Sequence, residues 1–291
     1  MKSRLGLSFR ERVRRDGVLQ GLRAAISWSL KTTSRSLGRF GMAWLRSVYR
    51  DTPVPISRVL FLRNLARGEN VLFPAVQSVR TAGSTLRNPF LASRLADNEF
   101  GRWSLATSTL NFLEHQLQIL SPKVVLEFGS GLSTACLARY MQELHGDSNR
   151  VYVFSIEQEM TFLEKTVQHL EALKLERYAR VVHLQLREQE IEGIRTTCYN
   201  LPGDFLRAVL EENHPDFVLI DGPSARTGSR FGTLPLVRLL LGPQAWFFLD
   251  DALRDRELKV AQLWNQLPYI RVNGMYLVGK GLLAGQVTEN I

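Results

Sequence analysis

Cysteine is nearly absent from this 291-residue chain: Cys136 and Cys198 are the only two. Two thiols give no disulfide framework, which fits a reducing compartment and a core large enough to hold without cross-links. The five histidines form no His-x-x-x-His pair and no group with cysteine, so no zinc-type site is visible. No apolar run approaches the ~18 residues of a membrane span. "GVLQGLRAAISWSL" is interrupted by Gln20 and Arg23, which argues against a secretory signal core. Acidic residues are scarce in one region only. Residues 1–50 hold twelve Lys and Arg against Glu11 and Asp16, a net +10, whereas the other 241 residues hold 25 basic and 26 acidic side chains, a net −1. The overall +9 therefore belongs to an N-terminal extension, and the neutral body argues against nucleic acid as a partner.

In that extension, Arg35, Arg39, Arg46 and Arg50 share a helical sector roughly 60° wide, opposite Leu37, Phe40, Trp44 and Val48. Three roles stay open: peripheral docking to an anionic membrane or a protein, a solvated helix packed on the main domain, or an Arg- and Ser-rich targeting peptide. "DTPVPISRVL" reads as a linker, and 61–100 as irregular chain with short helices. The expected organisation is a basic helical extension over 1–50, a linker and lead-in over 51–102, and one domain over 103–291. That domain opens with a helix over 103–120, capped by Ser104, with Leu110, Leu113, Leu117 and Leu120 at helical spacing.

From residue 121 onward, short β-rich runs alternate with helical patterns. Strands are expected over 123–128, 150–156, 179–186, 215–221 and 245–251. Helices are expected in "STACLARYMQEL", "EMTFLEKTVQHLEAL", "GDFLRAVLEEN", "TLPLVRLLL" and "LRDRELKVAQLWNQL". Such alternation predicts an α/β fold, a doubly wound and mostly parallel sheet with helices on both faces. "YIRVNGMYLVGKG" reads as two further strands around an Asn-Gly turn, an antiparallel hairpin that makes the sheet mixed.

Ligands of such sheets bind at the carboxyl ends of the strands. Acids stand there repeatedly: Glu127, Glu157, Asp221, Asp250 and Asp251. A single one is commonly a helix cap. Five on one rim repel one another unless hydroxyls, a cation or a cationic ligand lies among them.

The turn "LEFGSGLST" (126–134) narrows the ligand. A phosphate loop would need GxxxxGK[ST], and no lysine follows these glycines. The dinucleotide fingerprint GxGxxG lacks its third glycine, because Thr134 stands there, and Glu127 would repel a pyrophosphate. An acid-Gly-x-Gly turn, followed by an acid closing the next strand, suits a ligand with a cationic amino-acid end and a ribose diol. S-adenosylmethionine is such a ligand. Gly129 and Gly131 admit its methionyl part, Glu127 orders the loop around the ammonium, Glu157 accepts from the ribose hydroxyls, and Ser130 and Ser133 complete the set.

Four segments in order, "VVLEFGSGLST", "VFSIEQE", "PDFVLIDGPSAR" and "WFFLDDALRD", resemble motif I, the acid after it, and the fourth and fifth strand ends of class I S-adenosylmethionine-dependent methyltransferases. The C-terminal segment is similar to that family's closing strand pair. The resemblance spans about residues 121–291, with 103–120 similar to the preceding helix, and leaves 1–100 outside. It implies a seven-stranded, Rossmann-like methyltransferase fold, S-adenosylmethionine as cofactor, and methyl transfer to a hydroxyl of a small-molecule or glycan acceptor. Asp221, Asp250 and Asp251 fall where catechol-type O-methyltransferases carry metal-binding carboxylates. Those enzymes usually have Asp-Asn where this chain has Asp-Asp, and "IDGP" and "LDDALRD" look more like a bacterial branch acting on sugars or natural products. Two roles stay open for these acids: oxygen ligands for Mg²⁺ or Mn²⁺, or a general base, with Asp221 or Asp250 chosen and Asp251 as substitute.

Arg226 and Arg230 lie in "GPSARTGSR", which reads either as a solvated loop or as one that closes on a carboxylate or phosphate of the acceptor. Arg254 and Glu257 are expected to form a local ion pair. Tyr199 and Trp103 line a pocket or pack in the core. A catalytically silent module docked through residues 1–50 is the alternative to an enzyme. A cytoplasmic location, with peripheral membrane contact through the same residues, is the expectation for either.

Overall fold

A computed structural model describes residues 40–49, 52–66, 85–95, 104–146, 150–201 and 214–288. Residues 1–39, Arg50, Trp103 and the expected helix over 203–213 lie outside the described residues. In chain order the named elements are α1 (Ile56–Ala66), α2 (Pro89–Arg94), α3 (Thr107–Leu120), β1 (Val125–Phe128), α4 (Leu132–His145), β2 (Val153–Glu157), α5 (Met160–Leu173), β3 (Ala179–His183), β4 (Leu186–Ile191), β5 (Ile194–Tyr199), β6 (Phe217–Ile220), α6 (Thr233–Val237), β7 (Ala245–Leu249), α7 (Asp255–Trp264), β8 (Ile270–Tyr276) and β9 (Leu282–Val287). Residues 40–48 are also helical.

Seven strands form one sheet in the order β3-β2-β1-β6-β7-β9-β8. The first five run parallel, and β9 is antiparallel to both β7 and β8. Central parallel strands are covered on both faces, which is why β6 and β7 are apolar without a polar alternate, and β1 is apolar except at Glu127. Successive side chains serve opposite layers. Val125, Phe217, Leu219 and Phe248 pack with Leu113, Leu117, Tyr140 and Leu170 from α3, α4 and α5. Leu126, Phe128, Val218, Ile220, Phe247 and Leu249 pack with Trp264 of α7 and with Met42, Leu45 and Val59.

Four local expectations are corrected. Asn273-Gly274 is not a hairpin turn: it lies inside β8 as a bulge, with Gly274 at φ 146° and a register shift between Val272 and Gly274. The bulge brings Gly274 so close to Val54 that an added Cβ would lie 2.7 Å from the Val54 carbonyl oxygen. The last strand, β9, comes after the segment read as the hairpin. The third strand ends at His183, and the chain then makes a separate two-stranded hairpin, β4–β5, around Glu192-Gly193, both at positive φ. Ser104 does not cap α3, whose N-cap is Ala106 with no side-chain hydrogen bond. The supposed linker contributes α1, and Val54 pairs with Met275.

Candidate active site

The site is built on the tips of β1, β2, β6 and β7. β1 stops at Phe128 and turns through Gly129 at φ 91°, a region that favours glycine. The Gly129 N–H donates to Ile156 O at 2.8 Å, and the Asp221 and Gly222 N–H groups donate to Phe128 O at 2.9 and 2.6 Å. Three strand ends are thereby tied at one point.

Glu127 faces α4 because it alternates with Leu126 and Phe128, and it is wholly buried. Thr134 Oγ1 donates to Glu127 Oε2 at 2.5 Å and accepts from the Gly131 N–H at 3.1 Å. The residue that spoils the dinucleotide fingerprint is therefore the one that holds the motif's acid. Glu127 Oε1 has no hydrogen-bond partner among the described residues, and burial pushes this carboxyl up to about 7, while hydroxyls of Ser133, Thr134 and Ser155 act the other way. Ser133 is buried in the first turn of α4. A Cβ on Gly131 would meet nothing within 4 Å, so the space beside this glycine is open.

Glu157 closes β2. Its Oε2 accepts from the Ser130 N–H at 2.8 Å and from Ser130 Oγ at 3.1 Å, and its Oε1 accepts from the N–H groups of Gln158 and Glu159 at 2.7 and 2.9 Å. Glu157 thus orders the glycine turn. Across the cleft, Asp221, Asp250 and Asp251 each offer an oxygen, all within 4.8 Å of one another.

The Arg230 guanidinium lies among those oxygens. Its Nη2 is 2.9 Å from Asp221 Oδ1 and 3.5 Å from Asp251 Oδ2, and its Nη1 donates to Asp250 O at 2.8 Å. It also bonds the backbone carbonyl of Asp221. Arg254 Nη1 pairs with Asp251 Oδ2 at 2.6 Å, and Lys280 Nζ is 3.1 Å from Asp251 Oδ1. A guanidinium and an ammonium thus already neutralise carboxylate oxygens of Asp221 and Asp251, in competition with any divalent ion, whereas Asp250 Oδ1 has no hydrogen-bond partner among the described residues. Arg254 reaches Asp251 and not, as the spacing had suggested, Glu257, whose Oε1 lies 4.0 Å from Arg230 Nη1.

Burial dominates the acid end, with mutual repulsion second or third: Asp250 is pushed up to about 8 and Asp221 to about 6, against the lowering effect of Arg230 and Lys280. Asp221 is the most open of the three aspartates, with a fifth of its side chain exposed (20%), against 4% for Asp251.

A cleft of about 770 Å³ joins the two ends, lined by Gly129, Ser130, Glu157, Tyr199, Asp221, Arg226, Asp251 and Lys280 among others. Asp250 and Glu127 stand behind its wall. Arg226 is exposed on the rim, whereas Arg230 is buried beneath it. Tyr199 is buried, with its ring 5.5 Å from that of Phe128. Lys280 was not singled out in the sequence. The signal was the antiparallel sense of β9, which returns the β8–β9 connection to the rim where β7 ends.

No protein-family model and no curated protein sequence matches the chain. Among solved structures, an O-methyltransferase from Bacillus cereus in complex with S-adenosylhomocysteine is similar over 76% of this chain and 100% of that one, at 17% identity and a TM-score of 0.50. The O-methyltransferase TomG from Streptomyces achromogenes, involved in tomaymycin synthesis and in complex with S-adenosylmethionine, aligns over 76% of this chain and 98% of its own, at 15% identity and a TM-score of 0.49. The first likeness, with the strand order above, gives the class: this chain has the fold of the class I S-adenosylmethionine-dependent methyltransferases.

Proposed function

We propose that this protein transfers the methyl group of S-adenosylmethionine to a hydroxyl of a small molecule or sugar, without a divalent metal. The observation that carries the reading is the single cleft into which the Gly129–Ser130 turn, with Glu157, faces the tips of β6 and β7. The open space beside Gly131 suits the methionyl part, Glu157 suits the ribose diol, and the buried Glu127 acts behind the turn through Thr134. Methyl transfer is an in-line displacement at a sulfonium carbon, so holding donor and acceptor in line supplies much of the acceleration. The acceptor hydroxyl must also lose its proton. Asp221 is the base best supported, being the most open of the three acids and lining the cleft. Arg230, Arg254 and Lys280 provide the positive charge that keeps this rim from repelling itself. The neutral body of the chain favours a small acceptor over nucleic acid.

Calorimetric titration with S-adenosylmethionine tests the reading first. Stoichiometric binding is expected, whereas a silent module would bind weakly or not at all. Incubation with methyl-labelled cofactor and fractionated extract then reads the acceptor class from the fraction that takes up label; label in nucleic acid or protein alone would overturn the acceptor assignment.

A further inference from the structure

The helical segment 40–48 seats only one side of itself on the domain. Met42 and Leu45 are buried in the core, a Cβ on Gly41 would collide with the end of the Leu62 side chain, and Arg46 is half-buried. The side turned to solvent consists of Phe40, Ala43, Trp44, Ser47 and Val48. Phe40 is 74% exposed, Trp44 52% and Val48 53%. None of the five carries a charge, and Ser47 Oγ donates to Trp44 O at 2.8 Å, so its hydroxyl is satisfied within the helix. On α1, against which this segment packs, Phe61 is 66% exposed. A surface helix normally shows polar residues to water. Here the outward face is apolar and aromatic, a pattern that marks an interaction surface.

Charge selects the occupant. Residues 1–39, which lead into this segment, hold ten Lys and Arg against Glu11 and Asp16, a net +8. We propose that the Phe40–Trp44–Val48 face lies in the interfacial layer of an anionic lipid membrane, with the basic stretch before it held at the headgroups. An apolar partner protein would use the face but not the charge. A second copy would bring two +8 stretches together, which repel. Anionic lipid uses both features at once. Among the described residues no helix is long and apolar enough to cross a membrane.

The test is co-sedimentation of the full chain with vesicles of phosphatidylcholine alone or with phosphatidylserine added. Binding to the serine-containing vesicles is expected to be at least about tenfold stronger and to fall as salt is raised. Phe40→Ser, Trp44→Ser and Val48→Ser combined should lower that binding at least about tenfold, because they remove the inserted face. Their melting temperature should match wild type, since these side chains are exposed. Equal binding of variant and wild type, or no preference for anionic vesicles, overturns the proposal. So does a concentration-dependent dimer that the variant abolishes, which would assign the face to a second copy. If the triple variant does not fold, acyl-brominated phosphatidylserine vesicles decide: tryptophan quenching that disappears in Trp44→Phe supports insertion, and quenching unchanged in Trp44→Phe refutes it.

Discussion

Gly129 and Gly222 meet backbone to backbone where β1 and β6 end. A Cβ on Gly129 would lie 2.8 Å from Gly222 N, and a Cβ on Gly222 would lie 2.9 Å from Gly129 Cα. The same Cβ on Gly222 would collide with the Tyr199 hydroxyl, a buried group with no hydrogen-bond partner among the described residues. Gly222→Ala is therefore expected to cost about 1–3 kcal/mol through overpacking. Tyr199→Phe alone should be near neutral, and combined with Gly222→Ala it should recover only part of the loss, because the Gly129 backbone remains. Denaturant unfolding of the three variants measures this; full recovery in the double variant would show that the backbone contact is not limiting.

Cofactor binding and loop order can be separated at two residues. Glu157→Ala should weaken S-adenosylmethionine binding by roughly 2–4 kcal/mol, because the ribose hydroxyls lose an acceptor that they would take over from the Ser130 hydroxyl and the glycine turn loses its order. It should also lower ligand-free stability, because Glu157 accepts four hydrogen bonds from residues 130, 158 and 159. Gly131→Val should leave ligand-free melting unchanged, its side chain entering open space, while abolishing binding. Calorimetry and thermal melts on both variants read the two effects; unchanged affinity in Gly131→Val would refute the proposed pose.

Arg230 is the counter-ion of a buried acidic group. Arg230→Ala leaves Asp221, Asp251 and Glu257 without it and should cost about 3–5 kcal/mol. Arg230→Lys should recover only part, since one ammonium cannot reach the Asp221 and Asp250 carbonyls and the carboxylates together. Chemical denaturation of the pair measures this.

With Asp221 as base, turnover requires its carboxylate form. Because Asp221 is raised to about 6, the rate at limiting cofactor and acceptor should rise with pH through that region. Asp221→Asn should remove most of the rate, on the order of 10²–10⁴-fold, and flatten that limb. Chelator should leave the wild-type rate unchanged. Chelator-sensitive turnover restored by added Mg²⁺ would reverse the metal-free assignment.

Stability should respond to pH in the opposite sense. Asp250, raised to about 8, and Glu127, raised to about 7, hold protons in the folded state that the unfolded chain releases near pH 4. Between pH 4 and 8 the native state therefore binds more protons than the unfolded one, and stability falls as pH rises, by at most about 1.4 kcal/mol per pH unit for each group. Asp250→Asn should flatten part of this slope in melts across that range. A slope unchanged in Asp250→Asn would mean that Asp250 is ionised in the fold throughout.

The strand-helix alternation was legible because the parallel strands are short and mostly apolar, β6 and β7 wholly so. That alternation points Glu127, Glu157, Asp221, Asp250 and Asp251 to one end of the sheet, but does not show that Glu127 and Asp250 are buried behind the cleft wall. What stayed hidden depends on contacts distant in sequence. Asn273-Gly274 carries the local signal of a turn, but pairing with Val54, more than two hundred residues earlier, turns it into a bulge. Arg230 reads as a loop residue until the β6 and β7 tips close around it. Lys280 needs the direction of β9, which follows from that same misread hairpin.

The pairing of Val54 with Met275 has a consequence for how the protein behaves in solution. β8 is the outermost strand on its side of the sheet, and residue 54 meets it with two backbone hydrogen bonds, Val54 N to Met275 O and Met275 N to Val54 O, both 2.8 Å. An outermost strand left bare is a template for unwanted association with other chains. Residues ahead of the methyltransferase-like segment thus act as a guard on the sheet margin, and a chain shortened to begin after them is expected to lose solubility before it loses its fold.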